Sequence, residues 1–177
     1  MVDEQLSLHI HKAVVRGDIS EIRDAYGDPD GFPNSVGPLA IGDSLLVYAI
    51  YHGSLRLVEE LIAMGADVNP EVLDGFPPLV AVMATDRLDK CELLRLLSLA
   101  GSKVNVPGVN GQAALSWAIA QDDVEAVETL LELGADPHLR CEIDEQQTPL
   151  EEARIRAAET GFSAVVSLLE SYETREG

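Results

Sequence analysis

Two histidines, His9 and His11, stand two residues apart near the start of the chain. Metal ligands on a helix want spacings of three or four, and residues i and i+2 face different ways, so this pair makes a poor metal centre. Asp122-Asp123 and Glu151-Glu152 have the residue type for general acid–base work, but adjacent side chains on a helix diverge. Asp122 and Asp123 read better as caps of the helix that follows. The chain has four histidines, none beside a nucleophile motif, so no Ser-His-Asp arrangement can be assigned. Neither GxGxxG nor a P-loop occurs. Cys91 and Cys141 lie far apart with no CxxC, which indicates neither a disulfide framework nor a zinc site. The expectation is no enzyme, with no catalytic, cofactor-binding or metal residues.

What must position the remaining side chains is a repeat. Gly42-Asp43-Ser44-Leu45-Leu46-Val47-Tyr48-Ala49 leads to His52-Gly53, an apolar run from Leu55 to Ile62, and Gly65-Ala66-Asp67-Val68-Asn69. Gly75-Phe76-Pro77-Pro78-Leu79 opens a second copy that closes at Gly101-Ser102-Lys103-Val104-Asn105. Gly111-Gln112-Ala113-Ala114-Leu115 opens a third, closing at Gly134-Ala135-Asp136-Pro137, and Gln147-Thr148-Pro149-Leu150 a fourth. The opening leucines Leu46, Leu79, Leu115 and Leu150 are 33, 36 and 35 residues apart. Copies two and four carry three extra residues between first and second helix, where insertions are expected to sit in loops.

Each copy reads as a short apolar helix, then a second helix with apolar residues three and four apart: Leu55, Val58, Leu61, Ile62, and again Val124, Val127, Leu130, Leu131. Glycine follows each second helix, suited to a left-handed C-cap. Ile10, Ala13, Gly17, Ile19 and Ile22 repeat the same offsets in an N-terminal unit whose Gln5, Lys12, Arg16 and Arg23 suit a wet capping face. Glycine and proline crowd the stretch after it, so residues 27–41 are expected to form an extended, solvent-exposed loop that replaces the first hairpin. The layout is one domain over 1–177: capping unit 4–27, loop 27–41, and repeats of about 42–74, 75–110, 111–145 and 146–171.

The blocks Gly65-Ala66-Asp67-Val68-Asn69, Thr148-Pro149-Leu150 and Gly134-Ala135-Asp136 resemble the ankyrin repeat, over roughly residues 6–170. The resemblance implies an all-α solenoid of about five helix-turn-helix units with short projecting hairpin loops, acting as a protein-binding surface. The family usually places Thr-Pro-Leu-His at the first helix to link hairpin and helix. Here the histidine position holds Val47, Val80, Ser116 and Glu151, and threonine survives only as Thr148. The usual inter-repeat hydrogen bonds, and the stability they give, are therefore not expected, whereas the fold is.

The resemblance also implies where a partner would sit. A concave face built from hairpin tips and the exposed side of each first helix points to Asp43, Asp74, Phe76, Asn110 and Gln112 on the hairpins, with Leu73, Val109 and Gln147 beside them. It points to Tyr48, Tyr51, His52, Trp117 and Gln121, with Ala120, on the helices. Aromatic residues are enriched at binding hot spots. Tyr48 and Trp117 occupy equivalent positions, where plain packing between repeats is the alternative to partner contact, whereas Tyr51 and Phe76 are expected to sit more clearly outward. Glu59, Glu60, Glu92, Glu125, Glu128 and Glu132 fall on the second helices and are expected to be solvated.

Thirty-one acidic residues face twelve basic ones, a formal net charge of −19. That charge opposes nucleic acid and anionic membrane, and would steer a basic protein partner inward. It equally serves plain solubility. No apolar run approaches the roughly 18 residues of a membrane span. The acidic N-terminus lacks the pattern of a signal peptide, so a reducing, cytoplasmic setting is expected. Polar Glu151, Glu152, Arg154 and Arg156 in the last repeat favour a monomer. Two readings stand beside the adaptor or scaffold: an acidic inhibitor or immunity-type protein that neutralises a basic enzyme, and an enzyme with a site near loop 27–41.

Overall fold

The computed structural model describes residues 4–28, 30–35, 44–71, 75–108, 111–140, 147–161 and 164–176. Among the described residues ten helices pair up: α1 (Glu4–Arg16) with α2 (Ile19–Tyr26), α3 (Leu45–His52) with α4 (Leu55–Ala63), and α5 (Pro78–Met83) with α6 (Lys90–Leu99). The series continues with α7 (Ala114–Ala120) and α8 (Val124–Glu132), then α9 (Pro149–Thr160) and α10 (Ala164–Glu176). No strand occurs among the described residues. First helices α1, α3, α5, α7 and α9 stack on one another in order, while α6, α8 and α10 stack in a second layer. This is the all-helical solenoid of five helix pairs that the repeat implies.

The two layers meet in one continuous apolar core. The opening leucines Leu46, Leu79, Leu115 and Leu150 are all buried, as are Leu61, Leu97 and Leu130 from the second helices. At the position where helices approach closely, Ala49, Val82, Ala118 and Ala153 are buried alike, so the larger valine is accommodated. Side-chain caps set several helix starts. Ser44 Oγ accepts from Val47 N at 3.2 Å, Ser54 Oγ from Leu57 N at 3.3 Å, and Asp123 Oδ1 from Ala126 N at 3.1 Å. Gly65, Gly101 and Gly134, just past the second helices, have φ of 89°, 94° and 89°, the left-handed conformation where a side chain would be strained.

Asp122 is not a cap. Its φ is 53°, and its carboxylate lies 3.4 Å from Arg156 Nη2 on α9. The two insertions also differ: in the second copy the extra residues form loop 84–89, but in the fourth they lengthen α9 to 12 residues.

An asparagine ladder supplies bonding between the repeats. Asn34 Nδ2 donates to Gly65 O (2.8 Å) while its Oδ1 accepts from Asp67 N (2.8 Å). Asn69 does the same to Gly101 O and Lys103 N at 2.9 and 2.8 Å. Asn105 repeats it on Gly134 O and Asp136 N at 3.0 and 2.9 Å. Each asparagine thus fastens one hairpin base to the next, and the expected loss of inter-repeat bonding is corrected. The first rung lies in the stretch expected to be an exposed loop. There Phe32 and Pro33 are buried, with the Phe32 ring edge-on to Tyr26 at 5.7 Å, so residues 30–35 are docked on the array.

Candidate partner-binding surface

The Ser44 cap fixes where α3 begins and so which of its residues share a face. Tyr48, Tyr51 and His52 fall at i, i+3 and i+4 and come together. The Tyr48 and His52 rings lie 4.6 Å apart between centroids, and those of Tyr51 and His52 6.1 Å. His11 reaches in from α1. Its ring stands edge-on to His52 at 5.1 Å, and its Nδ1 is 3.0 Å from the Tyr48 hydroxyl. Tyr48 therefore does pack between neighbouring helix pairs, as the plainer reading had it, while Tyr51 is half-buried and His52 exposed. His11 was not foreseen here, because its partners sit in a different repeat.

A second aromatic pair joins repeats two and three. Phe76, just ahead of α5, meets Trp117 of α7 edge-to-face with centroids 5.4 Å apart. Both are half-buried against the core. Trp117 Nε1 is shielded from solvent and has no acceptor among the described residues.

Other expected contact residues have structural tasks. Gln121 Nε2 donates to Met83 O at 2.6 Å, closing the end of α5, and its Oε1 accepts from Lys90 Nζ at 3.3 Å. Its amide is thus spent within the fold, although the residue is exposed. Gln112 is half-buried, and its backbone carbonyl accepts from Gly108 N at 3.0 Å across the hairpin. Gln147 and Ala120 are half-buried. Asp43, Leu73, Asp74, Val109 and Asn110 lie outside the described residues.

Charge and chemistry follow the same division. Glu59, Glu92, Glu125, Glu128 and Glu132 are exposed on the second helices, Glu132 beside Arg95 at 3.6 Å, and half-exposed Glu60 pairs with Arg56 at 2.9 Å. Groups able to do chemistry are engaged elsewhere: His9 faces Glu21 at 3.4 Å, and burial pushes the Cys91 thiol up, away from the reactive thiolate. Glu151, the best-placed acid on α9, accepts from Thr148 N at 2.8 Å, and that backbone bond holds its carboxyl below the usual range. Among the described residues no group of three or more His, Cys, Asp or Glu could hold a metal ion, and no helix is long and apolar enough to cross a membrane.

Comparison with known proteins agrees with this architecture. The family described as ankyrin repeats (3 copies) matches residues 46–141. The ankyrin repeat and KH domain-containing protein mask-1 of Caenorhabditis elegans is 38% identical over 98 residues, 55% of this chain and 4% of that protein. A putative ankyrin repeat-containing protein of Treponema pallidum is 34% identical over 100 residues, covering 56% of this chain and 33% of its own length. The ankyrin repeat domain-containing protein M-T5 of Myxoma virus is 34% identical over 85 residues, 46% of this chain and 17% of the relative. The likeness thus spans a third or less of each relative. With the helix pairs stacked in register and the repeat profile matched across half its length, this chain belongs to the ankyrin-repeat family.

Proposed function

We propose that this protein is an adaptor or scaffold that clamps a partner protein against its concave face, the surface of first helices and hairpin loops. Ankyrin repeats generally mediate protein–protein interaction. The observation that carries the reading is the grouping of Tyr48, Tyr51 and His52 on one face of α3, with half-buried Phe76 and Trp117 one and two helix pairs along. Rigid aromatic side chains that are held by packing yet reach solvent make good anchors, because little freedom is lost on binding. A net charge of −19 favours a basic partner, steered in by long-range attraction. Free, buried Cys91 fits a reducing, cytoplasmic setting.

The same charge favours a second reading, an acidic inhibitor that blocks a basic enzyme. Both readings share one test. Partners are captured from the cell of origin at low salt and at roughly 0.5 M salt, with the native chain and with Tyr51→Ala plus Phe76→Ala. A basic partner released by salt and held at least tenfold more weakly by the double variant supports the concave face. Equal retention by that variant sinks it. If the captured protein has an activity, its loss on adding the chain identifies an inhibitor, and its persistence an adaptor.

A further inference from the structure

Loop 84–89 joins α5 to α6 at the end of the helix pairs opposite the hairpins, and Lys90 just after it meets Gln121 at the edge of the face just described. It holds six residues, where the matching turn between α3 and α4 holds only Gly53 and Ser54. Length alone suggests a slack loop, but its bonds say otherwise. Thr85 Oγ1 donates to Val82 O at 2.7 Å. Arg87 grips Asp89 with Nε and Nη2, both at 2.7 Å, and its Nη1 reaches back to Ile50 O (3.2 Å) and Gly53 O (2.5 Å) at the end of α3. Between these two fastened residues stands Leu88, with its side chain fully exposed. A single exposed leucine is ordinary. A leucine held out by a guanidinium that is only 15% exposed and makes four hydrogen bonds is already ordered for contact.

Beside Leu88 opens a cleft of about 320 Å³, lined by Asp86, Lys90, Cys91, Asp123 and Glu125 as well as the loop. That is room for about one long side chain, at the low end of ligand pockets. Its cations are spent inside the protein: Arg87 as above, and Lys90 on Asp123 at 3.0 Å and Gln121 at 3.3 Å. Asp86 and Glu125 are exposed and form an ion pair with no cation among the described residues. The cleft therefore presents uncompensated negative charge next to a fixed apolar knob.

We propose that loop 84–89 and this cleft form a second docking surface, which takes a short basic–apolar segment of a partner protein. An arginine or lysine of that segment enters the cleft toward Asp86 and Glu125, and a neighbouring apolar side chain covers Leu88. Charge complementarity selects this occupant, since an acidic or neutral segment leaves both carboxylates unanswered. The surface borders the concave face at Gln121 but uses neither Tyr51 nor Phe76, so either can fail without the other.

The test titrates a nine-residue peptide of alternating arginine and leucine into the isotope-labelled full chain and follows backbone amide shifts. Shifts at 84–91 and 121–125 are expected, with affinity falling about tenfold in Asp86→Asn plus Glu125→Gln and at least fivefold in Leu88→Ser. All three positions are exposed, and an unchanged urea midpoint confirms that these variants fold. A peptide with citrulline for arginine should bind at least tenfold more weakly. Equal binding of that peptide, undiminished binding to Leu88→Ser, shifts confined to other helices, or no binding at millimolar peptide would each overturn the proposal. So would a concentration-dependent dimer abolished by Leu88→Ser, which would make a second copy of the chain the occupant.

Discussion

The second and fourth repeats receive the same number of extra residues at the same place, and they fold them in opposite ways. In the fourth, Ala157 to Thr160 prolong α9, with Ala157, Ala158 and Glu159 good helix formers, until Gly161 stops it at φ 77°. In the second, Thr85 and Asp86 come one residue after the helix end at Met83, and such side chains compete with helical bonding through their own bonds to the backbone, as Thr85 does to Val82 O. The starts differ too. Thr148 and Glu151 form a reciprocal capping box on α9, whereas α5 begins after Pro77 with no side-chain cap. One insertion is therefore stabilised locally, by propensity and caps. The other depends on a long-range clasp, Arg87 on the carbonyls of Ile50 and Gly53.

If that contrast is right, breaking the clasp should cost most. Arg87→Ala removes both carbonyl bonds and strands half-buried Asp89, whose carboxyl is held below the usual range chiefly by the hydrogen bond from Arg87. We expect a loss of about 2–3 kcal/mol in urea unfolding with the slope unchanged. Arg87→Lys keeps the charge but not the fork and should recover only part of it. Wild-type stability in Arg87→Ala would mean that the loop holds without its clasp. The next effect is local. Thr148→Ala takes one half of the capping box and should cost about 1 kcal/mol, with faster amide exchange in the first turn of α9 and no change in α5.

The same division governs what the sequence alone conveys. The spacing of Leu46, Leu79, Leu115 and Leu150 announces the repeat because each leucine is buried by its own helix pair and its neighbour. The Asp123 cap is equally plain, since donor and acceptor lie within three residues. What stays hidden is contact between repeats. The absence of Thr-Pro-Leu-His suggests weakened links, yet Asn69 and Asn105, each four residues past a turn glycine, supply them. That recurrence was the available signal. Asn34 breaks the pattern, having Asp30 where the others have glycine, and its loop passed for solvent-exposed on glycine and proline content. The aromatic face was half readable: Tyr48, Tyr51 and His52 follow from helical spacing, but His11 and the Phe76–Trp117 contact need the stack itself.

The finest distinction between the two insertions is their response to acid. Glu151 accepts from the Thr148 backbone N–H more strongly when ionised, so its carboxyl titrates lower folded than unfolded. A lowered carboxyl stabilises the fold above the unfolded value, and that contribution is lost as pH falls through the folded one. The start of α5 has no carboxylate in that role. Amide exchange in the first turn of α9 should therefore speed up relative to α5 as pH drops from about 5 to about 3, once the intrinsic pH dependence of exchange is removed. Glu151→Gln should flatten this difference while leaving α5 alone. Because Glu151 is exposed, the effect will be the smallest of the three. An α9 that loosens no more than α5 across that range would show that the neutral half of the box, Thr148 Oγ1 on Glu151 N, suffices to hold the helix start.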